Sequence, residues 1–238
     1  MQITEKSKIG EIVRVNFQTA PFFEQHQIDF CCGGGISLEK ACSDRNLNIT
    51  QILDEVNKIV SKADPDSQYI ENMPLDELCG YIEKTHHSYI YQTVPFLQAK
   101  LQKLCDVHGA NHPELFEIKL LFDGASDALT EHLKMEESIV FPAIRKMTLM
   151  QSLSGISSDF DKTLQVMLED HQTEGDRFER ISRLSGSYSC PPDGCNTFRV
   201  TYETLQAFER DLHRHIHLEN NILFIKALAL FKELKKNN

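Results

Sequence analysis

This chain of 238 residues is marked first by what it lacks. It has no tryptophan, and stretches that alternate apolar with polar residues, the sign of a half-buried strand, are nearly absent. Basic residues are in the minority. The 25 Lys and Arg face 35 Asp and Glu, a formal net charge of −10 that disfavours both nucleic acid and anionic lipid. Long hydrophobic runs are missing too: the most apolar stretch, Ile222 to Phe231, is broken by Lys226 and is too short to span a bilayer. No apolar run follows Lys6 and Lys8, so a secretory signal is not expected. The cysteine count is seven, an odd number that points to free thiols in a reducing, cytoplasmic compartment. The His-Glu-x-x-His string of many zinc hydrolases does not occur.

What the chain does contain is a repeat. His132-Leu-Lys-Met-Glu136-Glu-Ser-Ile-Val-Phe141 is echoed eighty-three residues later by His215-Ile-His-Leu-Glu219-Asn-Asn-Ile-Leu-Phe224. Residues four apart share one face of a helix, so each segment aims an imidazole and a carboxylate the same way. A lone histidine precedes each segment at similar distance: His87 before His132 by 45 residues, His171 before His215 by 44. Two helical hairpins, each carrying one His and one His-x-x-x-Glu, describe a dinuclear metal site between four helices.

The punctuation of the chain agrees. Short helical patterns fill residues 1–62 around Gly33-Gly34-Gly35, and the Pro- and Asp-rich run from Ala63 to Pro74 reads as a linker. Residues 74–238 then hold four long helices: from Pro74 to about Cys105, from Asn111 past Met147, from Asp159 to Leu184, and from Asn196 to about Lys235. The fold expected is all-α, a four-helix bundle behind a small helical domain.

Helical phase decides which candidates face inward. Phe208, Leu212, His215, Glu219, Ile222 and Leu223 share one stripe, whereas His213 and His217 go with Gln206, Glu209, Arg210 and Asn220 on a face expected to be solvated. In the first hairpin Ala125, Ala128, Leu129, His132, Glu136, Ile139 and Ala143 form the inward stripe, with Glu137 at its edge or behind it. No Lys or Arg lies on either stripe to offset the buried carboxylates, and a cation would. His171 faces inward with Leu164 and Phe178. Spacing favours His87 for the first helix, while the stripe of Leu78, Cys79, Ile82, Tyr89 and Leu97 favours His86; periodicity leaves the two open. His108 and His112 are expected in a loop.

These residues resemble the haemerythrin-like superfamily. A closer resemblance starts at Ile28-Asp-Phe-Cys-Cys-Gly-Gly-Gly35, similar to the Cys-Cys-Gly-Gly signature of the iron–sulfur cluster repair di-iron proteins, the repair-of-iron-centres family. It continues through Cys105-Asp-Val-His-Gly109, His112-Pro-Glu-Leu115, Glu136-Glu137, Phe141-Pro142, Asp170-His171, Pro191-Pro192 through Cys195, and His215 to Phe224, and so covers essentially the whole chain. The resemblance implies His87, His132, His171 and His215 as terminal ligands of two iron ions, with Glu136 and Glu219 bridging them beside an oxo or hydroxo group. Anchoring on Pro95 selects His87 over His86 on the family pattern. Cys190 and the Phe224-Ile225 pair depart from that pattern.

The implied function is repair of iron–sulfur clusters damaged by nitrosative or oxidative stress, by iron donation or removal of nitric oxide. Its partners would be damaged iron–sulfur proteins, with nitric oxide or dioxygen as small ligands, and a homodimer is compatible. Cys31 and Cys32 are the candidate functional thiols. A haemerythrin-like carrier or sensor of dioxygen or nitric oxide is the alternative. It would need a fifth histidine, from His86 or His108, and leaves Cys31 and Cys32 without a role.

Overall fold

The computed structural model describes residues 3–237, and among them no strand forms; one isolated bridge joins Lys8 and Ser37. The chain is all-α, as its patterning predicts. Its residues gather into two compact units. One comprises the residues up to Leu78, Lys146–Ser154 and those from Ile216 onward; the other comprises Cys79–Arg145 and Gly155–His215.

In the first unit, α1 (Ile9–Val15) buries Ile9, Ile12 and Val13 at helical spacing, with Glu11 in its first turn and Arg14 in its last, each suited to the helix dipole. A 3₁₀ turn (Phe17–Thr19) leads into α2 (Ala20–Gln25), and α3 (Leu38–Asp44) and α4 (Ile49–Val60) start on Ser37 and Asn48 caps. Asn16 is the junction. Its side chain accepts from the Gln18 N–H and donates to the carbonyls of Ile59 and Lys62, closing the end of α4. The stretch read as a linker is more ordered than its composition suggests. Pro65 opens α5 (Pro65–Glu71), because a missing N–H costs nothing in a first helical turn. The Asp64 carboxylate and the Ser67 hydroxyl both accept from the Phe17 N–H.

Four long helices follow, three interrupted by a π turn. α6 runs Leu75–Ile82, a π turn over Glu83–His87, then Ser88–His108. α7 runs Glu114–Met135, a π turn over Glu136–Val140, then Phe141–Met150. α8 is an unbroken Phe160–Leu184. α9 runs Asn196–Leu218, a π turn over Glu219–Leu223, then Phe224–Asn237. In the second unit the four helical stretches pack as a bundle around Phe122, Phe178 and Phe208, whose ring centroids lie 5.6–6.4 Å apart. Arg145 and Glu83 join α7 to α6 at 2.6 Å.

The π turns correct the expected phase. Each inserts one residue into the α repeat, so the buried face slips by one position beyond it. In α7 the expected stripe continued to Ile139 and Ala143. Ile139 is instead exposed, and Val140, Phe141, Ile144 and Met147 are buried. In α6 the same insertion buries His86 and His87 together, at 1% exposure each, which is why counting stripes left the choice open.

The glycine-rich loop is required by close approach. The Gly10 N–H donates to the Gly34 carbonyl at 2.8 Å, and a Cβ at Gly34 would lie 2.4 Å from the Phe30 carbonyl oxygen and 3.0 Å from Gly10 Cα. Gly35 is open, with nothing within 4 Å of its Cβ position. Gly34→Ala is therefore expected to destabilise the fold by about 2 kcal/mol in denaturant unfolding, while Gly35→Ala stays within about 0.5 kcal/mol of the parent.

Candidate metal centre

The three π turns fall on the residues the sequence singled out: His87 ends the first, Glu136 begins the second and Glu219 begins the third. π turns often mark functional sites because they re-aim side chains locally. All six candidates are buried, and Glu136 and Glu219 have no exposed surface. They form two overlapping groups, His87–Glu136–His215–Glu219 and His132–Glu136–His171–Glu219. Within each group the ligand atoms lie within 4.8 Å of one another. Glu136 and Glu219 are common to both groups, so each carboxylate stands between two sets of imidazoles.

The distances support a cation site. His87 Nε2 lies 3.2 Å from His215 Nε2, and His132 Nε2 lies 2.8 Å from His171 Nε2. Glu136 reaches His87 Nε2 at 3.5 Å through one oxygen and His132 Nε2 at 3.3 Å through the other. The outer nitrogens fix which ring atoms carry protons. His87 Nδ1 donates to Glu137 Oε1 at 2.8 Å and His132 Nδ1 donates to Asp170 Oδ2 at 3.3 Å, because an ionised carboxylate can only accept. In the neutral rings, Nε2 then turns its lone pair toward the paired histidine, as a ligand must. Four imidazoles and two carboxylates suit first-row transition metals, and the donor set therefore fits a pair of them.

An outer layer steadies these rings, and the sequence indicated only part of it. Glu137 stands behind the first group, as expected, and also accepts from the Tyr91 hydroxyl. His86 is not among the grouped ligand residues. Its Nδ1 pairs with Asp211 at 3.0 Å, and its ring stacks on His215 with an interplanar angle of 8°. Glu174 escaped the sequence reading, although it lies one turn beyond His171 on the inward stripe. It is buried beside Arg177, 2.7 Å away, and burial raises its carboxyl to about 7 against the pull of that guanidinium. The second histidine pair is a correction. His217 is not on a solvated face: it is buried with its ring 5.8 Å from Phe17 and 5.9 Å from Phe30, and His213 is half-buried. Those aromatic rings come from the N-terminal segment, Phe17 from its 3₁₀ turn and Phe30 from the loop before Cys31, which no pattern within α9 could reveal.

A further group, Asp29, Cys31 and Cys32, also has the spacing to hold a cation. The Asp29 carboxylate accepts from the N–H groups of Cys31, Cys32 and Gly33 at 2.7–3.0 Å. Cys31 is buried, with its sulfur 3.7 Å from that of Cys32 and 3.4 Å from Asp29. The contact with Cys32, then burial, holds its thiol well above the ordinary range. Asn220 and Asn221, immediately after Glu219, donate to the Cys31 carbonyl at 3.3 and 3.2 Å, so the turn that bears Glu219 also anchors the thiol loop.

Comparison with known proteins places this geometry in context. Residues 81–227 match the haemerythrin HHE cation-binding domain, and residues 5–60 match a domain of unknown function, DUF542. The chain is 32% identical over 224 residues, 94% of its own length and 99% of the relative's, to the iron-sulfur cluster repair protein ScdA of Staphylococcus haemolyticus (strain JCSC1435). It is 28% identical over 226 residues, 94% and 99% of the two chains, to the ScdA protein of Staphylococcus epidermidis (strain ATCC 12228 / FDA PCI 1200). Against the iron-sulfur cluster repair protein YtfE of Yersinia pseudotuberculosis serotype IB (strain PB1/+) it is 30% identical over 211 residues, 89% and 91% of the two chains.

The tether to the thiol loop is open to measurement. Asn221→Ala removes hydrogen bonds to the carbonyls of Phe30 and Cys31. Amide exchange over residues 31–34 should accelerate by about tenfold, while exchange in α8 stays unchanged.

Proposed function

The chain belongs to the haemerythrin-domain family of iron-sulfur cluster repair proteins, and on that footing we propose that it rebuilds damaged iron–sulfur clusters with two iron ions held by His87, His132, Glu136, His171, His215 and Glu219. The observation that carries this reading is the pair of overlapping four-residue groups with Glu136 and Glu219 in common. Such sharing suits bridging carboxylates, with an oxo or hydroxo group completing the bridge. When bound, the irons supply redox chemistry and open coordination positions for a small ligand such as nitric oxide or dioxygen. The protein's part is to fix the ring tautomers through Glu137 and Asp170 and to exclude water from the carboxylates. Damaged iron–sulfur proteins are the partners. The site serves them by giving up iron or by taking nitric oxide from the injured cluster under nitrosative or oxidative stress.

Cys31 and Cys32 are the functional thiols, half-buried Cys32 meeting the client with buried Cys31 behind it, in a cytoplasmic setting that keeps them reduced. Consistent with a protein free of the membrane, no helix among the described residues is long and apolar enough to cross one. The alternative, a carrier or sensor of dioxygen or nitric oxide, calls for a fifth imidazole ligand. His86 lies outside both ligand groups, and His108 stands beside Cys195.

Two substitution pairs test the proposal. Glu136→Gln should strip or halve the iron content, because one carboxylate is lost to both metals. Glu137→Gln should retain two irons with affinity weakened roughly 10- to 100-fold, as loss of a partner behind a ligand does. Equal iron loss in both would overturn the ligand assignment. Replacing Cys31 and Cys32 together with Ser should leave iron content intact and lower the recovery of a nitric-oxide-damaged iron–sulfur enzyme; unchanged recovery would remove the thiols from the mechanism.

A further inference from the structure

The second unit carries a thiol cluster that the di-iron reading does not use. It lies where the α6–α7 loop meets the α8–α9 loop. Cys195 immediately precedes α9, and its carbonyl accepts the first helical bond from the Arg199 N–H at 3.1 Å, so it occupies the N-cap. Its sulfur takes the place of a capping oxygen and accepts from the N–H groups of Phe198 and Thr197. His108, from the end of α6, brings Nε2 to 3.3 Å from that sulfur. Cys195 is exposed and Cys190 half-buried, both as free thiols.

The loop is built to keep these groups together. His112 clasps Asp193 at 3.0 Å and Glu114 at 3.0 Å, which pins the Cys190–Cys195 segment to the α6–α7 loop. The Phe198 ring packs edge-on against His108 and His112, at 5.3 and 5.4 Å, and sets the orientation of both imidazoles. Gly194 turns the chain by donating to the Pro191 carbonyl at 2.9 Å. Cys190 Sγ lies so close that any Cβ at Gly194 would come within 2.5 Å of it. The second thiol therefore sits against the residue that directly precedes Cys195.

We propose that Cys195 is a nucleophile for thiol–disulfide exchange with a low-molecular-weight disulfide, and that Cys190 resolves the product to a Cys190–Cys195 bond. The helix-terminal N–H groups and then the His108 ring lower the Cys195 thiol to about 7, whereas burial and the nearby Cys195 charge raise Cys190. An attacking thiol whose pKa lies near the ambient pH is close to optimal for exchange, since it is largely ionised yet still nucleophilic. In the first step the Cys195 thiolate attacks one sulfur of the small disulfide, whose S–S bond breaks to release one thiolate. Cys190 then gives up its proton and attacks Cys195 Sγ. The second small thiolate leaves as the Cys190–Cys195 bond forms. Both small fragments end as thiols, one proton coming from Cys190 and the other being the proton solvent took from Cys195. The small disulfide gains the two electrons that the cysteine pair loses.

The test uses the full chain with iodoacetamide and oxidised glutathione, read peptide by peptide in a mass spectrometer. Alkylation of Cys195 should rise with a midpoint near pH 7. His108→Gln should slow it about fivefold at mildly acidic pH, through a lower thiolate fraction, with iron content unchanged. Oxidised glutathione should convert the parent to the Cys190–Cys195 crosslink, and Cys190→Ser should halt at the glutathione adduct on Cys195. A Cys195 midpoint above about pH 8, or a parent that keeps the adduct without forming the crosslink, overturns the proposal.

Discussion

Everything in this structure turns on two carboxylates placed where water cannot reach them. Glu136 and Glu219 have no exposed surface and sit among four imidazoles. A buried carboxylate costs several kcal/mol unless positive charge meets it. Two metal ions would supply that charge, and their binding would be coupled to folding, since a ligand for the native state stabilises it by mass action. The surroundings follow from the same demand. Glu137 and Asp170 set ring tautomers, and His86 stacks behind His215 with its own acid, Asp211.

The last helix does two jobs in adjacent residues. Glu219 opens a π turn, and Asn220 and Asn221, next in the chain, hold the carbonyl of Cys31. His217, two residues earlier, is buried between Phe17 and Phe30. A change in the position of Glu219 is thus next door, along the backbone, to the contacts that fix the Cys31–Cys32 loop. In this chain the last helix and the cysteine-bearing N-terminal segment are tied together at this turn.

The sequence displayed the bundle well because four long amphipathic helices leave few other solutions. The four histidines and two glutamates were legible because the pattern occurs twice at nearly equal spacing, and the structure brings all six together. Three things were hidden. The π turns shift helical phase and leave no composition signal, which is why Ile139 turned outward and why His86 and His87 could not be ranked by stripe. Burial by another part of the chain was equally invisible, as His217 shows. Asp211 and the Cys195–His108 pair depend on contacts between helices distant in sequence, and spacing within one helix carries no trace of them; Glu174, one turn beyond His171 and paired with Arg177 on the same helix, lay within reach of helical phase.

The central claim is that this pocket binds two irons that share their carboxylates. Metal analysis with Mössbauer spectroscopy, on the full chain purified without added metal and then loaded with ferrous iron, addresses it directly. The account predicts two irons per chain whose spins are coupled through the bridge, giving a diamagnetic ground state when both are ferric. One iron, two uncoupled irons, or zinc retained in preference to iron would contradict it.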